Sequence, residues 1–281
     1  MIDKYGFFRE HDRVDYLWSE TSPELGYLYE VFQHLFRYPI ARNYRYYIRN
    51  REPIPEVGED VIVIQIGNED HALPSFANDV FMVFTPYPPA GLLPPNVRSI
   101  PLGYNDDVGI PPWIPFDRRE NDLFFSGQLS ESRHEFAVAV ERALQMPEMA
   151  GRKCAVNFTR KFRTGIDPSE YASLLMNSKI ALAPPGTFSP VTFRFFEASR
   201  FGNVIISPPL PDTWYYRESP AIRLDDWDHL PGLLAALTRD QDHLRELHHQ
   251  TVRYYTDCCA EPAVARYMAD AIAEMALFLR H

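Results

Sequence analysis

The chain has 281 residues, of which 28 are basic and 38 are acidic, so its formal net charge at pH 7 is −10. That length supplies enough apolar material for one or two domains with a full hydrophobic core. The acidic balance disfavours proteins that wrap nucleic acid, because their affinity comes largely from Lys and Arg side chains that neutralise phosphates. We therefore expect a globular protein with no nucleic-acid partner.

Cysteine usage and hydropathy exclude two further classes of protein. Cys154 stands alone and Cys258 is followed directly by Cys259, a spacing that suits neither a disulfide framework nor a zinc site. Residues 1–16 are charged throughout and contain no apolar signal core. No apolar run approaches the roughly 18 residues that a membrane span requires. These features predict a cytoplasmic protein without a membrane span.

The first hundred residues contain one helical pattern and three apolar runs. Apolar side chains at helical spacing predict a helix over residues 22–37. The apolar runs predict strands over 60–66, 79–85 and 97–102, and the first of them is β-branched, as expected of a strand buried on both faces. The polar, Pro-rich stretch that follows has no periodicity and therefore predicts a linker.

Strand and helix patterns alternate from residue 122 onward. Ser132 and Glu135 form a capping box that predicts one helix start, and Asp167 before Pro168 predicts another. We expect strands over 122–125, 153–158, 179–183 and 203–207. We expect helices that begin near 132, cover 168–176 and 190–201, and begin again near 228, 242 and 261.

This alternation predicts the α/β class, because buried strands separated by helices form a parallel sheet that the helices cover. Two such blocks predict two Rossmann-like lobes whose parallel sheets face a central cleft. The expected N-terminal lobe covers residues 1–105, with a final helix over 261–281 packed on it. A linker over 106–120 leads to a C-terminal lobe over 121–260.

The segment 171–208 carries the strongest chemical signal, because the start of its predicted helix is well marked. Ser189 can cap the helix, Pro190 takes the first helical position and Thr192 lies in the first turn. Free backbone N–H groups and the positive end of the helix dipole favour a phosphate at such a start. Gly186 lets the preceding loop approach a ligand closely.

Arg194 and Glu197 are three residues apart and therefore lie on the same face of that helix. In an open α/β sheet, this face can look into the crevice at the carboxyl ends of the strands. Arg194 would meet a diphosphate there, and Glu197, one turn or about 5 Å further along, would accept hydrogen bonds from two ribose hydroxyls. The alternative is an ordinary surface ion pair on an amphipathic helix.

The same segment resembles the C-terminal domain of the exostosin-like glycosyltransferases. The shared pattern is Y-x3-L-x2-S-K-I-A-L-x-P-x-G, followed by T-x-R-x-x-E-A and then G-x-V-I-I. The residues on family positions are Tyr171, Ser178, Leu182, Pro184, Gly186, Thr192, Arg194, Glu197, Ala198 and Gly202. Upstream, FFSGQLSESRHEF is similar to the family's Phe-x-Gly…Arg segment, which implies that Gly127 and Arg133, with Ser126, belong to the donor site.

The chain also departs from the family pattern. Thr192 replaces a Ser and keeps its hydroxyl, and Asn203-Val204 stands where Cys-Ile-Pro is common. Anchored members of the family carry a membrane anchor and stem that this sequence does not show, so we expect a soluble bacterial enzyme of glycan biosynthesis.

The resemblance implies a GT-B fold and sugar transfer from a nucleotide-sugar, usually UDP-linked, to a hydroxyl of a glycan or small-molecule acceptor, with inversion. It implies no cofactor and no divalent metal, because the helix dipole and Arg neutralise the leaving diphosphate. Asp226 and Asp228 form a D-x-D that holds a metal in other transferases or caps the next helix. The alternatives are a retaining transferase and a non-catalytic sugar- or nucleotide-binding module.

An inverting transfer needs a general base that takes the proton of the acceptor hydroxyl. Glu69, Asp70 and His71 directly follow the strand predicted over 60–66, at its carboxyl end, where ligands of α/β sheets bind. We prefer Glu69, then Asp70, then His71. The alternative is a polar turn that caps the next helix.

Other polar residues have weaker signals. Tyr104 and Asn105 follow the third strand and would contact the acceptor, although a lone Tyr at such a place is more often a packing residue. A basic loop follows the strand over 153–158 and either contacts the base or phosphates or is simply solvated; it contains Arg160, Lys161 and Arg163. We interpret three histidines of a polar helix as surface residues: His243, His248 and His249.

Overall fold

Two five-stranded sheets, parallel throughout, are present in the part of the chain that the computed structural model describes, which is residues 13–18, 22–89, 91–161 and 164–280. The strands are β1 (Val14–Tyr16), β2 (Arg45–Arg49), β3 (Gly58–Gln65), β4 (Val80–Thr85), β5 (Val97–Ser99), β6 (Asn121–Gln128), β7 (Cys154–Thr159), β8 (Ser178–Leu182), β9 (Val204–Ser207) and β10 (Ile222–Arg223). The helices are α1 (Leu25–Leu35), α2 (His134–Leu144), α3 (Pro168–Met176), α4 (Phe193–Arg200), α5 (Trp214–Arg217), α6 (Leu230–Arg239), α7 (Gln241–Tyr254) and α8 (Glu261–Phe278).

The chain divides into two compact units. The described residues up to Asp106, together with those from Cys258 onward, form unit 1, and Asp107–Asp257 form unit 2. Each unit contains one of the two sheets and the helices that cover it. The predicted α/β class with two Rossmann-like lobes is therefore confirmed.

The sheet of unit 1 has the strand order β1-β2-β3-β4-β5. Successive side chains of a strand point to opposite faces. Ile62 and Ile64 accordingly pack in the cluster that contains α1 and α8, whereas Val61 and Val63 pack in a second cluster on the other face. All four side chains are fully buried, so both faces of β3 are covered, as its continuous β-branched run predicts. A buried hydrogen bond of 2.8 Å from the Tyr27 hydroxyl to the Cys259 carbonyl joins α1 to the start of the returning segment.

The sheet of unit 2 has the strand order β10-β9-β8-β6-β7. The chain passes from β6 to β7 on one side and then returns to β8 on the other side of β6. The strand order therefore reverses between β6 and β8. In open parallel sheets, ligands bind outside the carboxyl ends of the strands at such a switch point.

Most predicted elements are present, but two strands were missed: β1 and β2. The strand β2 is buried although it begins and ends with arginines, Arg45 and Arg49, which make its sequence look exposed. The Arg49 side chain is itself buried, and its guanidinium donates to Gln65 Oε1 at 2.6 Å. The predicted capping box is also wrong. Residues Glu131–Arg133 form a short 3₁₀ turn before α2, and the Ser132 hydroxyl donates to the Gly186 carbonyl at 3.3 Å.

The prediction that His248 lies on the surface is wrong. Its side chain is 5% exposed, because α7 turns this face toward the segment that precedes β6. The ring stacks on Phe116 at 4.8 Å, and Nδ1 lies 2.6 Å from the Gly202 carbonyl oxygen. Burial lowers the pKa of His248.

Two further findings concern disulfide-bonded and membrane-spanning proteins, the classes that the composition argues against. Cys154, Cys258 and Cys259 are free thiols. Among the described residues, every helix is too short or too polar to cross a membrane.

Candidate functional site

The carboxyl end of β6 meets the beginning of α4. Arg194 extends from the first turn of α4, and its Nη2 donates to the Ser126 carbonyl at 2.7 Å. The guanidinium lies over the ring of Phe125, 4.9 Å from the ring centre. A Cβ on Gly127 would lie 2.5 Å from Arg194 Nη2. Only glycine at residue 127 therefore leaves room for the Arg194 side chain across the end of β6.

A second guanidinium lies at the same edge. Arg133 Nε donates to the Pro185 carbonyl at 2.7 Å, and its Nη1 donates to the Gln128 carbonyl at 2.9 Å. Burial, together with the nearby positive charge of Arg194, lowers the pKa of Arg133 to about 10. Within the described residues, neither arginine forms an ion pair with a carboxylate. Two neighbouring cations without an acidic partner favour an anionic ligand.

The helix α4 begins at Phe193, three residues later than predicted from Pro190. Ser189 caps a turn rather than the helix, because its hydroxyl accepts from the Val191 N–H at 3.1 Å. Gly186 N–H donates to the Ser189 carbonyl at 2.7 Å and closes the preceding loop. Thr192, in extended conformation, holds the N-cap position without a side-chain capping bond. The loop therefore delivers Thr192, rather than Ser189, to the helix start.

Two buried polar atoms at this helix start have no hydrogen-bond partner among the described residues. They are Thr192 Oγ1 and Arg194 Nε. An unsatisfied buried polar group costs about 1–3 kcal/mol, so native proteins rarely keep one without a functional reason. Their position at the N-terminus of α4, at the switch point of the sheet, indicates a place built for a hydrogen-bonding anion.

Glu197 lies one turn further along α4 and is only 4% exposed. The hydroxyl of Tyr171, on α3, donates to Glu197 Oε2 at 2.8 Å. Burial raises the pKa of Tyr171 well above its ordinary value, and the negative charge of Glu197 raises it further. The alternative of an ordinary surface ion pair is therefore wrong, because the carboxylate points into the unit.

The residues predicted to supply the base lie in a turn after β3. The His71 N–H donates to the Asn68 carbonyl at 2.8 Å, and His71 adopts a positive φ of 58°. His71 Nδ1 lies 2.9 Å from the Pro88 carbonyl oxygen. Asp70 pairs with Arg51 at 3.0 Å. Partial desolvation raises the pKa of Glu69, and His71 acts in the opposite direction.

Sequence reasoning missed Glu24, which lies at the N-cap position of α1 and is 3% exposed. The hydroxyl of Ser22 donates to its carboxyl group. Burial, with a smaller contribution from the charges of Asp106 and Glu69, raises the pKa of Glu24 to about 7 although the hydrogen bond from Ser22 lowers it. The Asp106 carboxylate accepts two hydrogen bonds from the Gly26 N–H at 2.8 and 2.7 Å. No local signal could have found Glu24, because β1, the strand that precedes it, was itself missed. Asp106 follows β5 as Glu69 follows β3.

The predicted acceptor contacts follow β5. Tyr104 is 8% exposed, its ring packs edge-on against Tyr27 at 5.3 Å, and its hydroxyl donates to Glu261 at 2.6 Å. These contacts suit the alternative interpretation of Tyr104, in which it is a packing residue. Asn105 is half-buried beside it.

The remaining polar segments have structural roles. Asp226 Oδ1 accepts from the Asp228 N–H at 2.8 Å and so caps the short 3₁₀ turn Trp227–His229, while Asp228 pairs with Arg142 at 2.6 Å. Among the residues that the structure describes, no group of three or more His, Cys, Asp or Glu side chains is placed to hold a metal ion.

The structure describes only part of the basic loop after β7. Arg160 and Lys161 are exposed, which agrees with the alternative interpretation that this loop is simply solvated. Arg163 lies outside the described residues.

Comparison with known proteins shows the fold. No family model and no curated protein matches the sequence. The crystal structure of a GtfA/B complex superimposes with a TM-score of 0.54 at 10% identity, over 90% of this chain and 60% of that chain. The Anabaena protein HepE, crystallised in complex with UDP and glucose, superimposes with a TM-score of 0.50 at 10% identity, over 96% of this chain and 80% of HepE.

These likenesses, with two α/β units of five parallel strands each, define a GT-B fold, as predicted. The chain spans 60% of the length of the GtfA/B chain that it matches.

Proposed function

We propose that this protein is a glycosyltransferase that moves a sugar from a UDP-linked donor to a hydroxyl acceptor, with inversion and without a divalent metal. One observation carries the proposal. Arg133 and Arg194, distant in sequence, converge without an acidic partner at the switch point of unit 2, beside two unsatisfied polar atoms at the start of α4. Such a place suits the diphosphate of a nucleotide-sugar.

The two guanidinium groups and the α4 N-terminus would bind the diphosphate, with Thr192 donating its hydroxyl. Negative charge develops on the diphosphate as the sugar leaves, and fixed cations stabilise it without reorganisation. The proposal therefore needs no metal to supply that charge. Ser126 and Gly127 contribute backbone at the end of β6, and Gly186 and Ser189 shape the opposite loop.

Glu197, one turn along α4, would accept the hydroxyls of the ribose. The complex of HepE with UDP and glucose supports a uridine diphosphate as the donor nucleotide. The convergence of Gly127, Arg133, Arg194 and Glu197 supports a relationship to the exostosin-like family, because the motif positions meet at one edge.

We assign the general base to Glu69. Its raised pKa brings the carboxylate closer to the basicity that proton abstraction near neutral pH requires. Asp70 is held by Arg51, and His71 Nδ1 faces a carbonyl oxygen, so each is less available.

A thermal-shift screen tests the donor class, because specific binding to the folded state raises its melting temperature by mass action. We expect UDP and UDP-sugars to stabilise the protein more than GDP, CDP or dTDP and their sugars. The absence of a shift with every nucleotide would contradict the proposal.

The joint variant Glu69→Ala and Asp70→Ala tests catalysis. We expect it to lose turnover by about 100-fold, the usual contribution of a general base, with UDP affinity intact. The control is Asp242→Ala, an exposed carboxylate of α7 in unit 2. Unchanged turnover in the joint variant would contradict the base assignment. Donor binding by the wild type without transfer to any acceptor would instead indicate the non-catalytic binding module.

A further inference from the structure

The loop between β8 and α4 is closed by hydrogen bonds at its base. Gly186 N–H donates to the Ser189 carbonyl at 2.7 Å, which turns the chain back within four residues. A Cβ on Gly186 would lie 3.6 Å from Thr192 Cγ2, so this base rests against the start of α4. Arg133 Nε donates to the Pro185 carbonyl at 2.7 Å. The loop is thereby fixed beside the proposed diphosphate site.

The tip of this loop, residues 187–188, exposes an aromatic ring. Phe188 is 75% exposed, so it adds little to the packing of a loop that hydrogen bonds hold. Arg133 also donates to the Gln128 carbonyl, and the next residue, Leu129, is 43% exposed. Exposed apolar side chains therefore occur on both backbone segments that Arg133 joins. Apolar surface next to convergent polar groups is typical of ligand sites.

The order of groups along the site indicates which part of a ligand would cover the ring. Under the proposed function, the diphosphate lies at Arg133 and Arg194, and the ribose lies at Glu197, one turn further along α4. The sugar is attached to the other end of the diphosphate, so it extends from the helix start in the opposite direction. Phe188 precedes the first residue of α4 by five positions, at the tip of the loop that Arg133 bonds. This order puts the ring on the sugar side of the diphosphate.

We propose that Phe188 is a specificity-determining residue whose ring packs against the apolar C–H face of the sugar in the donor. The ligand class is a neutral pyranose joined to a nucleoside diphosphate. Equatorial hydroxyls surround such a ring, whereas its axial hydrogens form an apolar patch that an aromatic side chain can cover. The inference rests on the proposed function, since the sugar is placed relative to a diphosphate at the start of α4.

Isothermal titration calorimetry with UDP, UDP-glucose, UDP-galactose and UDP-xylose tests the inference. We expect the wild type to bind UDP and at least one of the three UDP-sugars. In Phe188→Ala, the affinity for that UDP-sugar should fall about fivefold, because the apolar contact of one ring face is lost. Its affinity for UDP should stay within about twofold of the wild type, since UDP carries no sugar on the diphosphate.

Two further variants separate the contact from a structural role. Phe188→Tyr keeps the ring and should bind every ligand as the wild type does. The matched control is Phe278→Ala, which removes an exposed phenyl ring from the end of α8 in unit 1 and should change no affinity. If Phe188→Ala weakens UDP and the UDP-sugar equally, the ring merely supports the loop and the inference is overturned.

The remaining outcomes distinguish the inference from the proposed function. Unchanged affinities in Phe188→Ala would overturn the inference and leave the proposed function intact. Binding of UDP by the wild type without binding of any of the three UDP-sugars would do the same. No affinity of the wild type for UDP or for any UDP-sugar would overturn both.

Discussion

At the carboxyl end of β6, the missing side chain of Gly127 determines where Arg194 can lie. A Cβ there would come within 2.5 Å of Arg194 Nη2, so Gly127→Ala must displace the guanidinium from the Ser126 carbonyl. We expect UDP affinity to fall about tenfold, since a charge-assisted contact is lost, while the melting temperature changes by less than about 3 °C. Calorimetry and thermal unfolding measure the two quantities.

Gly232→Ala is the matched control, because a Cβ at Gly232 meets no atom within 4 Å. It should leave UDP affinity unchanged. Equal affinities of Gly127→Ala and the wild type would show that the guanidinium of Arg194 does not contact the ligand.

Glu24 predicts a pH dependence of stability. Its pKa rises from 4.5 to about 7 on folding, so the stabilising protonated form is fully present below about pH 4.5 and is lost as the pH rises through about 7. Glu24→Gln cannot ionise. Between about pH 4.5 and pH 8, the free energy of unfolding of the wild type should therefore fall by about 3 kcal/mol relative to the variant.

Urea unfolding across this pH range measures the difference. Comparison with Glu24→Gln cancels the titrating groups that are not coupled to Glu24. Asp106 and Glu69, whose charges act on Glu24, contribute to the measured difference through that coupling. Parallel pH profiles of the two proteins would rule out a buried, titrating Glu24.

At the scale of elements, the contact between α7 and the turn after α4 predicts a difference between two glycines. Gly202 and Gly151 both have positive φ, +68° and +79°, but only at Gly202 would a Cβ meet neighbours, at 2.7 Å from Val252 and 2.8 Å from His248. We expect Gly151→Ala to cost about 1 kcal/mol for its backbone alone and Gly202→Ala about 2–4 kcal/mol. Chemical denaturation measures the loss of unfolding free energy in both variants. Equal losses would mean that α7 shifts to accommodate the added Cβ at residue 202.

Local patterns were sufficient to predict much of unit 2. Asp167 caps α3 as predicted, and its side chain accepts from the Ser169 N–H at 2.9 Å. The strands β7, β8 and β9 are short apolar runs between turn residues, which a single sequence reveals. The start of α4 was not predictable, because Ser189 and Pro190 carry a helix-start signal that the turn at Val191 overrides.

The candidate site was predictable in its residues but not in its contacts. Arg194 and Glu197 share a helix face, which spacing alone reveals. The Glu197 carboxylate is bonded to Tyr171, which is 26 residues away in the sequence. The position of the Arg194 side chain depends on the absence of a Cβ at Gly127. Glu24 and the core position of His248 likewise depend on packing between distant segments, which carries no local signature.

At the scale of the whole molecule, a net charge of −10 opposes the binding of an anionic nucleotide. Under the proposed function, the affinity for the nucleotide therefore comes from the local charges at the start of α4. The repulsion between the net negative charge of the protein and the nucleotide acts over a longer distance at low salt. Contacts with Arg133 and Arg194 are short-ranged, so salt screens them less. The diphosphate, rather than the nucleoside, is accordingly the part of the ligand that these arginines should bind.

Titration of UDP and of uridine into the wild type and Arg194→Ala tests this most directly, with Arg239→Ala, an exposed ion-pair residue of unit 2, as the control. We predict that the wild type binds UDP at least about 100-fold more tightly than uridine, and that Arg194→Ala loses at least about tenfold for UDP and nothing for uridine. Arg239→Ala should match the wild type. Equal binding of UDP and uridine by the wild type, or UDP affinity unchanged in Arg194→Ala, would contradict the account.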